Sequence, residues 1–273
     1  MKDGNKAILL AADDNYIRPL IAQINSIHHN LGKDNARIYL VHQLSDTNLS
    51  LVSGHIYAHE RFRSGEWSHV RSGQGSHVTK MNMGKFQAEF IKEPNFMYLD
   101  TDAIVNRPFS FEYPETMTCD GGLEEIVSDK PYAESMMLMV DFIRKNGGVI
   151  EKGDKFMLFC DGVYFANRNW VSQVLKPKIK YCSEHMLQAE KHWTGMGFFQ
   201  AAIGLLQRPI QIFKIKELVP WLRTAAETDG YDVIHYIGPQ KPWDYSPGSY
   251  PLCAGDVWWN YYNKGPISPI GKG

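Results

Sequence analysis

Asn95-Phe96-Met97-Tyr98-Leu99-Asp100-Thr101-Asp102-Ala103-Ile104-Val105 is the stretch that decides how this chain reads. Phe96 to Leu99 have the composition of a buried strand, two acids follow, and the apolar pattern then resumes. In extended chain, side chains two apart point to one face, so both carboxylates look the same way. Two like charges at the end of a buried strand repel each other and are costly to desolvate unless a cation or donors pair them. The stretch predicts either a clamp for a divalent cation or a solvated strand-to-turn junction whose acids cap a loop. Asp-x-Asp is common, so the tripeptide alone does not choose.

Outward from that stretch, 273 residues allow one long domain or two small ones, with enough chain for a substantial core. The formal charge of −1 argues against a nucleic-acid surface, which needs a basic excess. The N-terminus carries no signal-like apolar region, and no apolar run approaches the ~20 residues that span a bilayer. Cys119, Cys160, Cys182 and Cys253 lie far apart without metal-type spacing and read as reduced thiols. These features predict a cytoplasmic α/β protein.

Ala7 to Ala12 is a continuous apolar run, the pattern of a strand covered on both faces. Ile17, Leu20, Ile21, Ile24 and Ile27 then recur at helical spacing, with Pro19 tolerable in the first turn. Ile38 to Val41 reads as a second strand and Leu44 to Ala58 as a second helix. This alternation predicts a mostly parallel central sheet with right-handed crossovers, whose ligands sit beyond the carboxyl ends of the strands. Glu60 to Gly75 reads as loop and Val78 to Ile91 as helix. Met117 to Gly122 reads as strand and turn, and Ser128 to Lys145 as irregular and then helical. Phe156 to Ala166 reads as a strand interrupted at Cys160-Asp161-Gly162, Phe198 to Leu206 as a short helix, and Val233 to Tyr236 as a last strand. The aromatic tail from Trp258 is expected to be loose. Its rings could bind sugar, a membrane interface or another subunit, with packing against the domain the ordinary expectation.

Four segments ask for a common explanation: Asp13-Asp14-Asn15-Tyr16, Asp100-Thr101-Asp102, Cys160-Asp161-Gly162, and His235-Tyr236-Ile237-Gly238-Pro239-Gln240-Lys241-Pro242-Trp243. Two acids plus one imidazole make a mixed oxygen and nitrogen site, which moves preference from magnesium or calcium toward manganese. Lys241 adds a fixed positive charge, and Gly238 lets backbone amides approach an anion. Together they suit a diphosphate whose charge develops as it leaves. The bland alternatives are helix caps for Asp13 and Asp14 and a satisfied strand-end histidine for His235. The histidines at 28, 29, 55, 59, 69 and 77 read as surface or loop residues.

With these motifs in order, the chain resembles glycosyltransferase family 8, the retaining nucleotide-sugar transferases. Ala11-Ala12-Asp13-Asp14-Asn15-Tyr16 resembles that family's N-terminal nucleotide motif, Tyr98-Leu99-Asp100-Thr101-Asp102 its Asp-x-Asp strand, and His235-x-x-Gly238-x-x-Lys241-Pro242-Trp243 its C-terminal signature. The resemblance implies a single GT-A domain over 1–273, a Rossmann-like nucleotide-binding fold with its core at about 6–245 and an extension over 246–273. It implies a hexosyltransferase that takes galactose or glucose from a UDP-sugar to a hydroxyl of a glycan or glycolipid, with Mn²⁺ (Mg²⁺ as the alternative) and retention. Peripheral membrane association is compatible with it.

Residue by residue, the resemblance implies that Asp100, Asp102 and His235 ligate the metal and that Gly238 and Lys241 contact the diphosphate. Ala11, Asp13, Asn15, Tyr16 and Thr101 belong to its nucleotide-binding segments, with Tyr16 as a stacking platform. Lys80 stands where the family has an arginine, keeping the charge without the planar fork. In Phe159-Cys160-Asp161-Gly162-Val163 a thiol and a carboxylate replace an amide and a small residue. Gln200 aligns with the family's glutamine, whereas Phe199 replaces the acid beside it. Asp161 and Gln200 are therefore the catalytic candidates, with front-side substitution favoured. The alternatives are an inverting or xylose-transferring enzyme and a catalytically degenerate nucleotide-sugar-binding protein.

Overall fold

The computed structural model describes residues 6–70, 80–124, 133–149, 151–152, 155–186, 194–207, 211–212, 215–220 and 228–270. Along the chain come β1 (Lys6–Asp13), α1 (Ile17–Leu31), β2 (Ala36–Gln43), α2 (Asp46–Val52), β3 (Ala58–Arg61), β4 (Asn95–Leu99) and β5 (Ala103–Val105). Next are β6 (Met117–Glu124), α3 (Ala133–Lys145), β7 (Glu151–Lys152) and β8 (Lys155–Asn167). A helical run of α4 (Arg168–Trp170), a π-turn (Val171–Leu175) and α5 (Lys176–His185) precedes α6 (Thr194–Leu206). Last are β9 (Gln211–Ile212), β10 (Glu217–Leu218), β11 (Val233–His235) and α7 (Gly255–Lys264). The chain forms two compact units, one of Met1–Arg61, Phe96–Glu112 and Lys214–Gly273, the other of Phe62–Asn95 and Tyr113–Phe213.

The first unit is the parallel one. β1 pairs in parallel with β2 and β4, and β2 with β3, giving the order β3-β2-β1-β4. Ala7 to Ala12 are all buried, as a strand covered on both faces requires, and α1 is buried all round from Pro19 to Ile27, the expected residues Leu20, Ile21, Ile24 and Ile27 among them. A smaller sheet runs β10-β11-β5, with β11 antiparallel to β5 so that His235 lies opposite Ala103.

The tail is not loose over 255–270. Trp258, Trp259 and Tyr262 of α7 are buried, and α7 packs on α1. Asn25 of α1 fastens this end, donating to the carbonyls of Tyr261 (3.0 Å) and Ile267 (3.2 Å) and accepting the Ile267 amide (3.1 Å). Each ring of this size removes ~150–250 Å² from water, about 4–6 kcal/mol at ~25 cal/mol per Å². This burial and the Asn25 hydrogen bonds together oppose the ~1–2 kcal/mol per residue that ordering the backbone costs.

Two other expectations shorten or change type. The helix expected over Leu44 to Ala58 ends at Val52, and Ala58 opens β3 after a 3₁₀ turn at Ser53–His55. Glu60 is therefore strand, and within the expected loop Trp67 is buried on a 3₁₀ turn. Residues 71–79 lie outside the described ones. The helix expected up to Ile91 is a 3₁₀ run over Lys80–Phe86. Burial runs unbroken from Met83 to Ala88, Lys85 and Gln87 included, so no 3.6-residue stripe is present.

In the second unit β8 pairs antiparallel with β6 and β7, and β9 runs parallel to β6. The interruption expected at Cys160-Asp161-Gly162 is a bulge inside a continuous strand. Between the pairs Cys119–Tyr164 and Gly121–Phe159, the single residue Asp120 faces four, Cys160 to Val163. Such a bulge re-aims side chains locally. α3 ends as expected at Lys145, and Gly147 two residues on has a φ of 75°, which suits glycine.

Candidate metal and nucleotide site

Asp100 and Asp102 do not sit on continuous strand. β4 ends at Leu99, and the acids form a turn closed by the Ala103 amide donating to the Asp100 carbonyl (2.9 Å). Parity along a strand is therefore not what brings them together; the turn is. Its neighbours hold it firmly. Gln23 of α1 donates to the Asp100 carbonyl (2.6 Å), the Tyr98 hydroxyl to Asp100 Oδ1 (2.5 Å), and Thr101 Oγ1 to the Ala11 carbonyl at the end of β1 (2.5 Å).

The antiparallel pairing of β5 with β11 brings His235 to this turn, and the Tyr236 amide donates to the Asp102 carbonyl (2.9 Å). His235 Nε2 lies 3.1 Å from Asp102 Oδ1 and 3.9 Å from Asp100 Oδ2. Its Nδ1 is 2.7 Å from Glu217 Oε1 on β10, a buried acid that sequence reasoning missed. A carboxylate on Nδ1 fixes the tautomer and leaves Nε2 to face the aspartates. Asp100, Asp102 and His235 each offer a ligand atom within 4.8 Å of the others. Two carboxylates and a pre-aimed imidazole are the donor set that Mn²⁺ or Mg²⁺ would accept, so these residues fit a metal.

Lys241 completes the group, with Nζ 2.6 Å from Asp102 Oδ2 and 2.6 Å from the Tyr236 carbonyl. Burial by itself would raise the Asp102 carboxyl, but Lys241 and His235 outweigh it and hold the acid well below the usual carboxylate range. Gly238, three residues before Lys241, has a φ of 98°, which a side chain would strain.

At the end of β1, Asp13 caps the following 3₁₀ turn by accepting the Asn15 amide (3.0 Å). Asp14 faces α2, where it accepts from the Ser45 amide and Asn48 Nδ2, both at 2.8 Å. Tyr16 is half-buried and meets Trp243 edge to face, ring centres 6.3 Å apart. Burial, and then the charges of Asp102, Asp13 and Asp100, push its hydroxyl up to about 12, so it remains a donor at neutral pH.

On the second unit Asp161 is engaged. Its Oδ2 lies 2.7 Å from Lys85 Nζ, and both side chains are buried. Lys85 was read in the sequence only as part of a helix. Gln200 is fully buried and its amide donates to the Phe159 carbonyl at the start of the bulge. Phe199 stacks on Phe86 in the core, ring centres 6.2 Å apart. The Lys80 side chain lies outside the described residues. His69, read as a surface or loop residue, lies in a turn, its Nε2 2.7 Å from Ser183 Oγ. No disulfide joins the four cysteines.

No protein-family model matches the sequence, and no curated protein sequence matches it. Solved structures do. Galactosyltransferase LgtC, in complex with donor and acceptor sugar analogues, is similar with a TM-score of 0.71 at 15% identity, over 96% of this chain and 97% of that one. GlyE of Streptococcus pneumoniae TIGR4, a glycosyltransferase, gives 0.57 at 16% identity, over 95% and 60%. The bifunctional glycosyltransferase WbbM gives 0.56 at 15%, over 97% and 50%. The chain has the α/β GT-A fold of these glycosyltransferases. Among the described residues no helix is long and apolar enough to cross a membrane.

Proposed function

We propose that the protein is a retaining, UDP-sugar-dependent hexosyltransferase acting on a hydroxyl of a glycan or glycolipid, as a single catalytic domain in the cytoplasm. The observation that carries this reading is the meeting of Asp100, Asp102, His235 and Lys241 at the carboxyl end of β4. Asp100, Asp102 and His235 would hold Mn²⁺, with Mg²⁺ as the alternative. Bound there, the metal supplies a Lewis acid that neutralises diphosphate charge. Lys241, held at Asp102 Oδ2, would contact the diphosphate, and the Gly238 turn would present backbone amides to the same anion. Tyr16, Asp13, Asn15 and the Ala11 and Thr101 backbone border the nucleoside, and Lys80 reaches the donor.

In the transfer the bond from sugar C1 to the diphosphate oxygen breaks and the acceptor oxygen bonds to C1. The acceptor proton passes to the departing phosphate. Asp161 is the carboxylate proposed to face the sugar. Its pairing with Lys85 supports an electrostatic part, because proton abstraction would need that pair to open. Gln200 acts through the bulge, holding Phe159 and hence the segment that carries Asp161.

The test is a thermal-shift panel of UDP-sugars with and without Mn²⁺, followed by product analysis. Binding to the native state raises Tm with affinity and concentration. A UDP-sugar that raises Tm only with Mn²⁺, an effect abolished by Asp102→Asn, supports the reading. A panel with no Mn²⁺-dependent shift and no hydrolysis or transfer sinks it. UDP binding without turnover would indicate a binding protein, and an inverted anomeric product by NMR would displace retention.

A further inference from the structure

Between α1 and α7 the first unit holds a half-open pocket of about 560 Å³, within the ~300–1,000 Å³ that small-molecule sites occupy. None of its lining residues belongs to the acid cluster. The wall is mainly apolar, with Val257 and Tyr261 of α7 facing His28 and His29 of α1. Lys33, just past the end of α1, and Lys264, in the last turn of α7, complete it with two exposed ammonium groups. No aspartate or glutamate lines it, and neither lysine forms an ion pair among the described residues.

The cavity is preformed and stiff. Asn25 ties α1 to the chain on both sides of it. Gly265 approaches Asn25 so closely that a Cβ there would stand 2.0 Å from Asn25 Cγ. The Tyr261 hydroxyl accepts from Asn30 (2.8 Å), fixing that ring. His28 Nδ1 is buried without a hydrogen-bond partner. Burial, then His55 and Lys33, lower the His28 imidazole to about 4, so His28 is neutral at pH 7.

We propose that this cavity is a second binding site, for a small amphiphilic anion whose apolar body lies between Val257, Tyr261 and His28 and whose carboxylate or phosphate meets Lys33 and Lys264. An apolar body alone would leave the two cations without purpose. A bare anion would be held by two exposed lysines and little else, which is worth ~0.2–1 kcal/mol per pair. Only a ligand with both halves uses the whole site. A flat lipid surface would leave this recess unfilled, so the occupant is a free molecule.

Titration calorimetry of the full chain with octanoate, octyl phosphate and 1-octanol tests this. Octanoate and octyl phosphate should bind about ten-fold tighter than octanol, or ~1.4 kcal/mol, with an advantage that shrinks in 0.5 M NaCl. Lys33→Ala/Lys264→Ala should bring the three ligands to similar affinity. Val257→Trp should abolish binding of all of them. Asn260→Trp, at an exposed lining position, serves the same purpose should Val257→Trp fail to fold by circular dichroism. Equal affinity for octanol and octanoate would overturn the proposal, as would binding that survives the cavity-filling variant. Binding only to phosphatidylglycerol vesicles, with no heat from the free amphiphiles, would overturn it in favour of a membrane surface.

Discussion

Asp102–Lys241 on the first unit and Asp161–Lys85 on the second are the same chemical pair at nearly the same distance, 2.6 and 2.7 Å. They are built to opposite ends. Lys85 and Asp161 have side-chain exposures of 0% and 8%, one ammonium to one carboxylate. The pair is closed and balanced. Asp102 and Lys241 keep 17% and 16% exposure, and the acids Asp100 and Glu217 crowd the same histidine. Three carboxylates around one ammonium and one imidazole leave negative charge over. An ion pair with surplus acid and an open side invites a cation; a one-to-one pair with its lysine sealed fixes the Asp161 carboxylate and the bulge that carries it.

The largest expected effect tests the sealed pair. Lys85→Met strands a buried carboxylate and should cost about 3–5 kcal/mol in urea unfolding. Lys85→Met/Asp161→Leu should recover most of that loss. A single-variant loss under ~1 kcal/mol would show that the pair is not the closed element described. Asp102→Asn is next. It should weaken Mn²⁺ binding, followed by the electron-spin signal of free Mn²⁺, by more than ~100-fold, since even a residue that only supports a ligand is worth ~10–100-fold. Unfolding should move far less than in Lys85→Met. An unchanged Mn²⁺ affinity would erase the contrast between the regions.

Glu217→Gln sharpens the comparison from the side. Its amide can still meet His235 Nδ1 but carries no charge, and Mn²⁺ affinity should fall ~10–100-fold, or about 1.4–2.7 kcal/mol. Retained affinity would assign Glu217 to packing alone. The smallest effect concerns a pair with no acid in it. His42 Nδ1 accepts from the Leu44 amide (3.3 Å), and its Nε2 lies 3.2 Å from His59 Nδ1. Burial and the neighbouring His59 lower His42 to about 4, whereas the unfolded chain titrates near ~6.5. The unfolded state therefore binds more protons between those values. This stability is present above pH 6.5 and is lost as pH falls toward 4. His42→Asn should flatten the dependence of Tm on pH across that window; an unchanged slope would remove His42 as its source.

What could be read beforehand follows the physics of each signal. β1, β2, β4 and α1 were legible because burial on both faces, or an apolar stripe at helical spacing, writes itself into consecutive residues. The acid cluster was legible because Asp100, Asp102, His235 and Lys241 are residue types that need partners. Glu217 and Lys85 were not, because their partners lie 18 and 76 residues away and nothing local marks them. The same is true of α7. The glycines and prolines that follow it suggested a frayed end, while Asn25, which holds Ile267, stands 242 residues earlier.

The placement of Lys241 in the chain has a consequence for synthesis. Asp102 is made 139 residues before the lysine that neutralises it. At ~5–20 residues per second, roughly 7–28 s pass before the partner is translated. Until then Asp102 stands in the turn between β4 and β5 without the ammonium it meets in the folded protein.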